Sequence, residues 1–119
     1  IELSASAKAA GEWAMGFAGD SCNVATYCAR LGVPTAYMTA IGKDPFSAAM
    51  RAGWEEEGID TGLVLTHPSR IAGLYAIRVD AGGERSFTYW RGQSAARAFF
   101  ECEGAQGAMA AAVRAELLY

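Results

Sequence analysis

The sequence predicts an α/β fold, a partial parallel sheet flanked by helices with a small antiparallel β element set into it. Three observations carry that expectation. The stretch from 21 to 58 reads as helix, strand, helix with short connections, the pattern of parallel strands joined by crossover helices. The stretch "IAGLYAIRVDAGGERSFTYW" (71–90) is two apolar alternating segments around "DAGGE", a β-hairpin signal. The chain has 119 residues, 52% hydrophobic and 19% charged, the composition of one compact unit with enough apolar mass to bury a core.

Taken in order, "IELSA" (1–5) and "EWAMGFA" (12–18) look like short strands. "SCNVATYCARLG" (21–32) has apolar Val24, Tyr27, Cys28 and Leu31 at the i, i+3, i+4, i+7 spacing of a helix, which Gly32 ends. "TAYMTAIG" (35–42) is a short run rich in strand formers between a proline and a glycine. "DPFSAAMRAGWEEEG" (44–58) carries Pro45 just inside a helix start and Gly58 at its stop. After the hairpin, "QSAARAFF" (93–100) and "GAQGAMAAAVRAELLY" (104–119) read as helices, the last running toward a new strand at "ELLY". Trp13, Trp54 and Trp90 read as packing residues. One or two convincing parallel strands make a thin sheet, so the expectation is a piece of a larger protein.

A formal charge of −3 with Lys and Arg scattered singly provides no electrostatic footprint for nucleic acid or an anionic membrane, although one local Arg can still hold a small anion. No apolar stretch approaches the roughly 18 to 20 residues of a membrane span, and no basic-then-apolar leader opens the chain, so the expected location is the cytoplasm. Cys22, Cys28 and Cys102 form no C-x-x-C pair and read as buried or half-buried thiols, with neither a disulfide nor a metal site expected. His67, the single histidine, sits in a turn-like segment without partners for a triad. Arg70, Arg78 and Glu55, Glu56 and Glu57 read as surface.

"FAGDSCNVA" (17–25) sets polar groups at the start of a helix. Gly19 lets backbone approach a ligand, Asp20 or Ser21 can cap the helix, and Asn23 lies in the first turn, where free N–H groups point outward. From spacing alone, a capped helix end and a polar-ligand site both remain open.

The wider stretch "AGDSCNVATYCARLGVPTAYMTAIG" resembles the first signature of the ribokinase-like (PfkB) carbohydrate kinases, through Ala18, Gly19, Asn23, Ala25, Gly32 and Gly42. Ser21 departs from the small apolar residue or glycine usual there. The "GD" followed by a hydroxyl residue and Asn is similar to the 2-keto-3-deoxygluconate kinase branch. "IGKDPFS", "EEEGIDTGLV" and "GLYAIRVDAGGERSFTYWRGQSAA" resemble further family segments in the same order, so the resemblance covers nearly the whole chain.

The resemblance implies that residues 1–119 form the N-terminal part of a ribokinase-like domain, with lid strands near 1–5, 12–18 and 71–90. It implies that Gly19, Asp20 and Asn23 contact sugar hydroxyls and that Tyr75, Tyr89 and Arg91 contact a sugar acid. Carboxylate, amide and phenol suit hydroxyls, and a guanidinium forks onto a carboxylate. Without the resemblance, Tyr89 reads as core or interface and Arg91 as a solvated charge. The implied chemistry is transfer of the ATP γ-phosphoryl, with Mg²⁺, to 2-keto-3-deoxygluconate. The sequence contains no phosphate loop and no candidate for the family's catalytic aspartate, so catalytic, nucleotide and metal residues are expected outside it and the isolated chain is expected to be inactive. The alternatives are another sugar kinase of this family, such as a fructokinase or ribokinase, and a non-catalytic binding or oligomerisation module. The implied partners are a small sugar acid and a second copy joined through the lid.

Overall fold

The computed structural model describes residues 1–6, 9 and 11–119. Ten elements follow in chain order: β1 (Glu2–Ala5), β2 (Trp13–Gly16), α1 (Asp20–Arg30), β3 (Thr39–Ile41), α2 (Pro45–Glu56), β4 (Val64–Thr66), β5 (Leu74–Val79), β6 (Arg85–Trp90), a 3-10 helix (Ala95–Glu101) and α3 (Ala105–Ala112). Among the described residues no helix is long and apolar enough to cross a membrane.

The body is three layers around the parallel pair β3–β4, in register Thr39 with Val64, Ala40 with Leu65 and Ile41 with Thr66. Successive strand residues face opposite ways, and the core divides accordingly. Ile41 and Val64 pack with Cys22, Ala25, Trp54 and Ile59 beneath α1 and α2, while Ala40 packs with Ala95, Phe99, Cys102, Ala105 and Ala108 beneath the 3-10 helix and α3. Trp54 is the anchor of the first layer. Its indole N–H donates to the Cys22 sulfur at 3.2 Å, and its ring meets Tyr37 edge-on at 5.0 Å.

The second helix forms as its sequence dictates. The Asp44 carboxylate accepts from the Ser47 backbone N–H at 3.0 Å, Pro45 occupies the first turn, and Gly58 follows the end. The Ser47 hydroxyl, fully buried, donates to Asp44 at 2.7 Å and accepts from the Gly42 N–H at 2.9 Å, so strand end and helix start share one network.

The first helix differs from its sequence reading. It buries Cys22 and Ala25, with Ala29 packed alongside, whereas Tyr27 and Leu31 are 66% and 80% exposed. The small Cys22 and Ala25 share one buried cluster with Ile41, Trp54, Ile59 and Val64, and that packing outranks the bulkier stripe one helical step away. Gly32, at φ 79°, ends the helix by a Schellman turn, with Gly32 N–H on the Ala29 carbonyl and Val33 N–H on that of Cys28.

The second sheet has the order β2-β1-β5-β6. Its outer pairs are antiparallel as expected, but the central pair β1–β5 is parallel, so the lid-like element is mixed rather than wholly antiparallel. The β5–β6 turn is built by the Asp80 carboxylate, which accepts from the N–H groups of Gly82 and Glu84, and by Gly83 at φ 84°.

Three further expectations are corrected. Strand 35–42 shortens to β3 plus one bridge of Ala36 to Asp60, because only those positions pair in parallel. Among the described residues "ELLY" forms no strand, and Leu117 and Tyr119 are exposed. Trp13 and Trp90 are 43% and 59% exposed on the face of the four-stranded sheet opposite Glu2 and Tyr75, so of the three tryptophans only Trp54 is core.

Candidate functional site

Strand register builds the site. Gly16 pairs with Glu2, Glu2 with Tyr75, and Tyr75 with Tyr89, so one residue from each of the four strands stands in a single row. Residues paired in register project from the same face, and the contacts agree. The Tyr75 hydroxyl donates to the Glu2 carboxylate at 2.5 Å, while Ser4, two residues on, donates to the other oxygen at 2.9 Å. The Tyr75 and Tyr89 rings lie 6.0 Å apart, and Phe87 stacks with Tyr89 at 6.1 Å and 7°. Arg91 closes the file, its guanidinium 4.4 Å over the Tyr89 ring, a cation–π contact.

The result is an open aromatic shelf with a carboxylate at one end and a guanidinium at the other. Phe87 and Tyr89 are each about half exposed, and Arg91 is exposed. Burial raises the Tyr75 phenol and the bond to Glu2 adds to it, so its pKa is pushed up to about 12. Tyr75 is therefore a donor at neutral pH, Glu2 an acceptor, and Arg91 a forked donor for a planar anion.

The second group lies on α1. Only Phe17 and Ala18 separate Gly16 of the row from Gly19, which caps the helix at φ 159°, ψ 156°. Among the described residues no side chain caps α1, which corrects the expectation for Asp20 or Ser21. The helix starts one residue earlier than its spacing suggests, so Asp20 is already in helical conformation, and the Ser21 hydroxyl pairs instead with that of Tyr37 at 3.0 Å. Asp20 is exposed in the first turn, where its charge complements the helix dipole, and accepts from the Tyr119 hydroxyl at 3.2 Å. The exposed Asn23 lines a cavity of about 390 Å³ between α1 and α2, with Phe17, Thr26, Tyr27 and Met50 among its walls.

Thus Tyr75, Tyr89 and Arg91 are brought together, and Gly19, Asp20 and Asn23 are brought together. Among the described residues no hydrogen bond joins the two groups; the Gly16–Glu2 pairing connects them through the backbone. Glu2 is the residue that sequence reading missed. Its signal was the two-residue period of "IELS", which sets Glu2 and Ser4 on one face and Leu3 and Ala5 on the other.

His67 is structural. Its imidazole is buried and Nδ1 accepts from the N–H groups of Ser69 and Arg70 at 3.2 and 3.0 Å. Cys22 and Cys102 are buried and Cys28 is half-buried. Among the described residues no three His, Cys, Asp or Glu side chains gather to hold a metal ion.

Residues 2–115 match the family described as pfkB family carbohydrate kinase. The chain belongs to the pfkB family. It is 46% identical over 90 residues to the 2-dehydro-3-deoxygluconokinase of Dickeya dadantii (strain 3937), covering 72% of this chain and 29% of that protein. It is 44% identical over 92 residues to the 2-dehydro-3-deoxygluconokinase of Escherichia coli (strain K12), covering 74% and 30%. The chain therefore spans about three-tenths of the length of these relatives. Among solved pfkB-like structures, the fructokinase from Vibrio cholerae O395 bound to fructose, ADP and calcium superposes with a TM-score of 0.71 at 27% identity, over 81% of this chain and 30% of that one. The ribokinase-like fold expected from the sequence is the fold observed.

Proposed function

We propose that the protein carrying these residues is an ATP-dependent sugar kinase whose substrate is 2-keto-3-deoxygluconate, and that this chain supplies the sugar-binding side. The observation that carries the reading is Arg91 over Tyr89, a fork-shaped cation at the end of an aromatic shelf, suited to a sugar that ends in a carboxylate. The identity to two 2-dehydro-3-deoxygluconokinases supports the same substrate.

In this reading Arg91 pairs with the acid, and Tyr75 and Tyr89 give the sugar a flat apolar face and phenolic donors. Gly19, Asp20 and Asn23 meet its hydroxyls, together with Glu2 from the same row. ATP with Mg²⁺ supplies the phosphoryl group, and no residue of this chain is assigned to either. The isolated chain is accordingly inactive. The cytoplasm, which supplies ATP, is the location this reading proposes. A second copy docks on the opposite face of the lid, where Trp13, Met15 and Trp90 stand exposed.

The test is ATP-dependent phosphorylation by the native protein that carries residues 1–119, on 2-keto-3-deoxygluconate, fructose and ribose. The highest kcat/KM is expected on the keto-deoxy acid. A higher value on fructose or ribose moves the assignment to another pfkB sugar kinase, and no turnover on any sugar leaves a binding or oligomerisation module.

A further inference from the structure

The geometry points to Gly73 as the positioning residue for Arg91, an inference that rests on the acid-reading role proposed above. Gly73 precedes β5 and is not among the glycines with positive φ, so no left-handed backbone calls for a glycine there. What glycine contributes there is the missing side chain. A Cβ at 73 would stand 3.0 Å from the Arg91 Cβ, 3.3 Å from the Ser94 Cβ and 3.6 Å from the Arg91 Cα, so a neighbour must give by a few tenths of an ångström.

The neighbour that gives is Arg91. Ser94 is buried and its successor Ala95 is fully buried, with the Ala95 N–H held by the Ile71 carbonyl at 2.8 Å. Arg91 is exposed and lies just past the last β5–β6 pair, Leu74 with Trp90, held on its far side, among the described residues, only by the Ser94 N–H on its carbonyl at 3.2 Å. On its other side Gly73 is also fixed, because the Tyr75 N–H donates to the Ile1 carbonyl at 3.0 Å and Glu2 pairs with Tyr75. The added methyl group therefore pushes Arg91 along the shelf and off the Tyr89 ring, not the sheet away from Arg91.

The experiment compares the native protein with Gly73→Ala, Gly92→Ala and Arg91→Met. Gly92 adjoins Arg91 and lacks positive φ, but its Cβ would meet nothing within 4 Å, so it controls for backbone stiffening. Steady-state kcat/KM is measured on 2-keto-3-deoxygluconate and on fructose in the same preparation, so any unfolded fraction cancels from their ratio. Because small misplacements of a positioning group are costly, Gly73→Ala should lower the acid-to-neutral ratio by about three- to tenfold, chiefly through KM for the acid. Gly92→Ala should leave the ratio unchanged. The NMR shifts of the Arg91 side chain, set by the Tyr89 ring current, should move in Gly73→Ala alone, a readout independent of turnover. Unmoved shifts with an unchanged ratio overturn the inference, as does an equal change in Gly92→Ala. If the shifts move and yet neither Gly73→Ala nor Arg91→Met alters the ratio, the acid-reading role fails and Gly73 stands as a positioning residue only.

Discussion

The Tyr75 hydroxyl donates to the Glu2 carboxylate across 2.5 Å, joining the parallel strands β1 and β5 by a side-chain bond as well as by their ladder. With burial first and Glu2 second, the phenol is pushed up to about 12. A folded-state pKa above the unfolded value of about 10 means that the pair's contribution to stability is complete below about pH 10 and is lost as pH rises toward 12. Against Tyr75→Phe, the native protein should therefore lose stability selectively in that window. In a phenolate absorbance titration, Glu2→Gln should bring Tyr75 down toward, but not to, the ordinary value, because burial remains. A Tyr75 that ionises unchanged in Glu2→Gln would disprove the coupling.

Asp44 joins strand end to helix start. Burial raises its carboxyl, but the hydrogen bonds from the Ser47 side chain and the local backbone outweigh that and hold it below its usual value. A depressed carboxyl contributes stability above its unfolded pKa of about 4, and that contribution disappears as pH falls through the folded value. Asp44→Ala should cost about 0.5 to 2 kcal/mol at pH 7 in denaturant titration, and the gap should narrow below about pH 4. A gap independent of pH would mean that the charge contributes nothing.

Gly42 faces the same corner. A Cβ there would collide with the Asp44 carboxylate, stand 2.7 Å from the Arg70 carbonyl and 3.0 Å from the Ile71 Cα. Gly42→Ala should destabilise by about 1 to 3 kcal/mol, as overpacking does, read as a lowered denaturation midpoint with an unchanged slope. An unshifted midpoint would mean that the corner relaxes freely.

Asn23 separates a capping role from a ligand role. Its side chain makes no cap and is exposed, so Asn23→Ala should leave stability within about 0.5 kcal/mol. Losing one hydrogen bond to the sugar should weaken sugar affinity by about two- to tenfold. Calorimetric affinity and a melting curve on the same variant decide it. Reduced stability with unchanged affinity would return Asn23 to the helix.

Much of this was legible in the sequence where a local rule was decisive. Asp44, Pro45 and Gly58 bound α2, and Asp80 with Gly83 builds the hairpin, because caps and turns depend on a few adjacent residues. Tyr75, Tyr89 and Arg91 are singled out by the family resemblance, and the hairpin register then sets them side by side. Tertiary contacts decided what was missed. The buried stripe of α1 is set by the cluster it joins with Ile41, Trp54, Ile59 and Val64, which takes in Cys22 and Ala25 and leaves Tyr27 and Leu31 exposed. The period of "IELS" sets Glu2 and Ser4 on one face, but that this face joins the site follows from a parallel pairing with Tyr75, 73 residues away, which local sequence does not specify.

The most direct test of the acid-reading shelf is the steady-state kinetics of Arg91→Met on 2-keto-3-deoxygluconate beside fructose. Hydrogen bonds to charged groups contribute roughly 1.5 to 3 kcal/mol, so kcat/KM for the keto-deoxy acid should fall about ten- to hundredfold. Fructose, with no carboxylate to lose, should change by less than about twofold. An equal fractional loss on both substrates would contradict the account and leave Arg91 as a support for the lid.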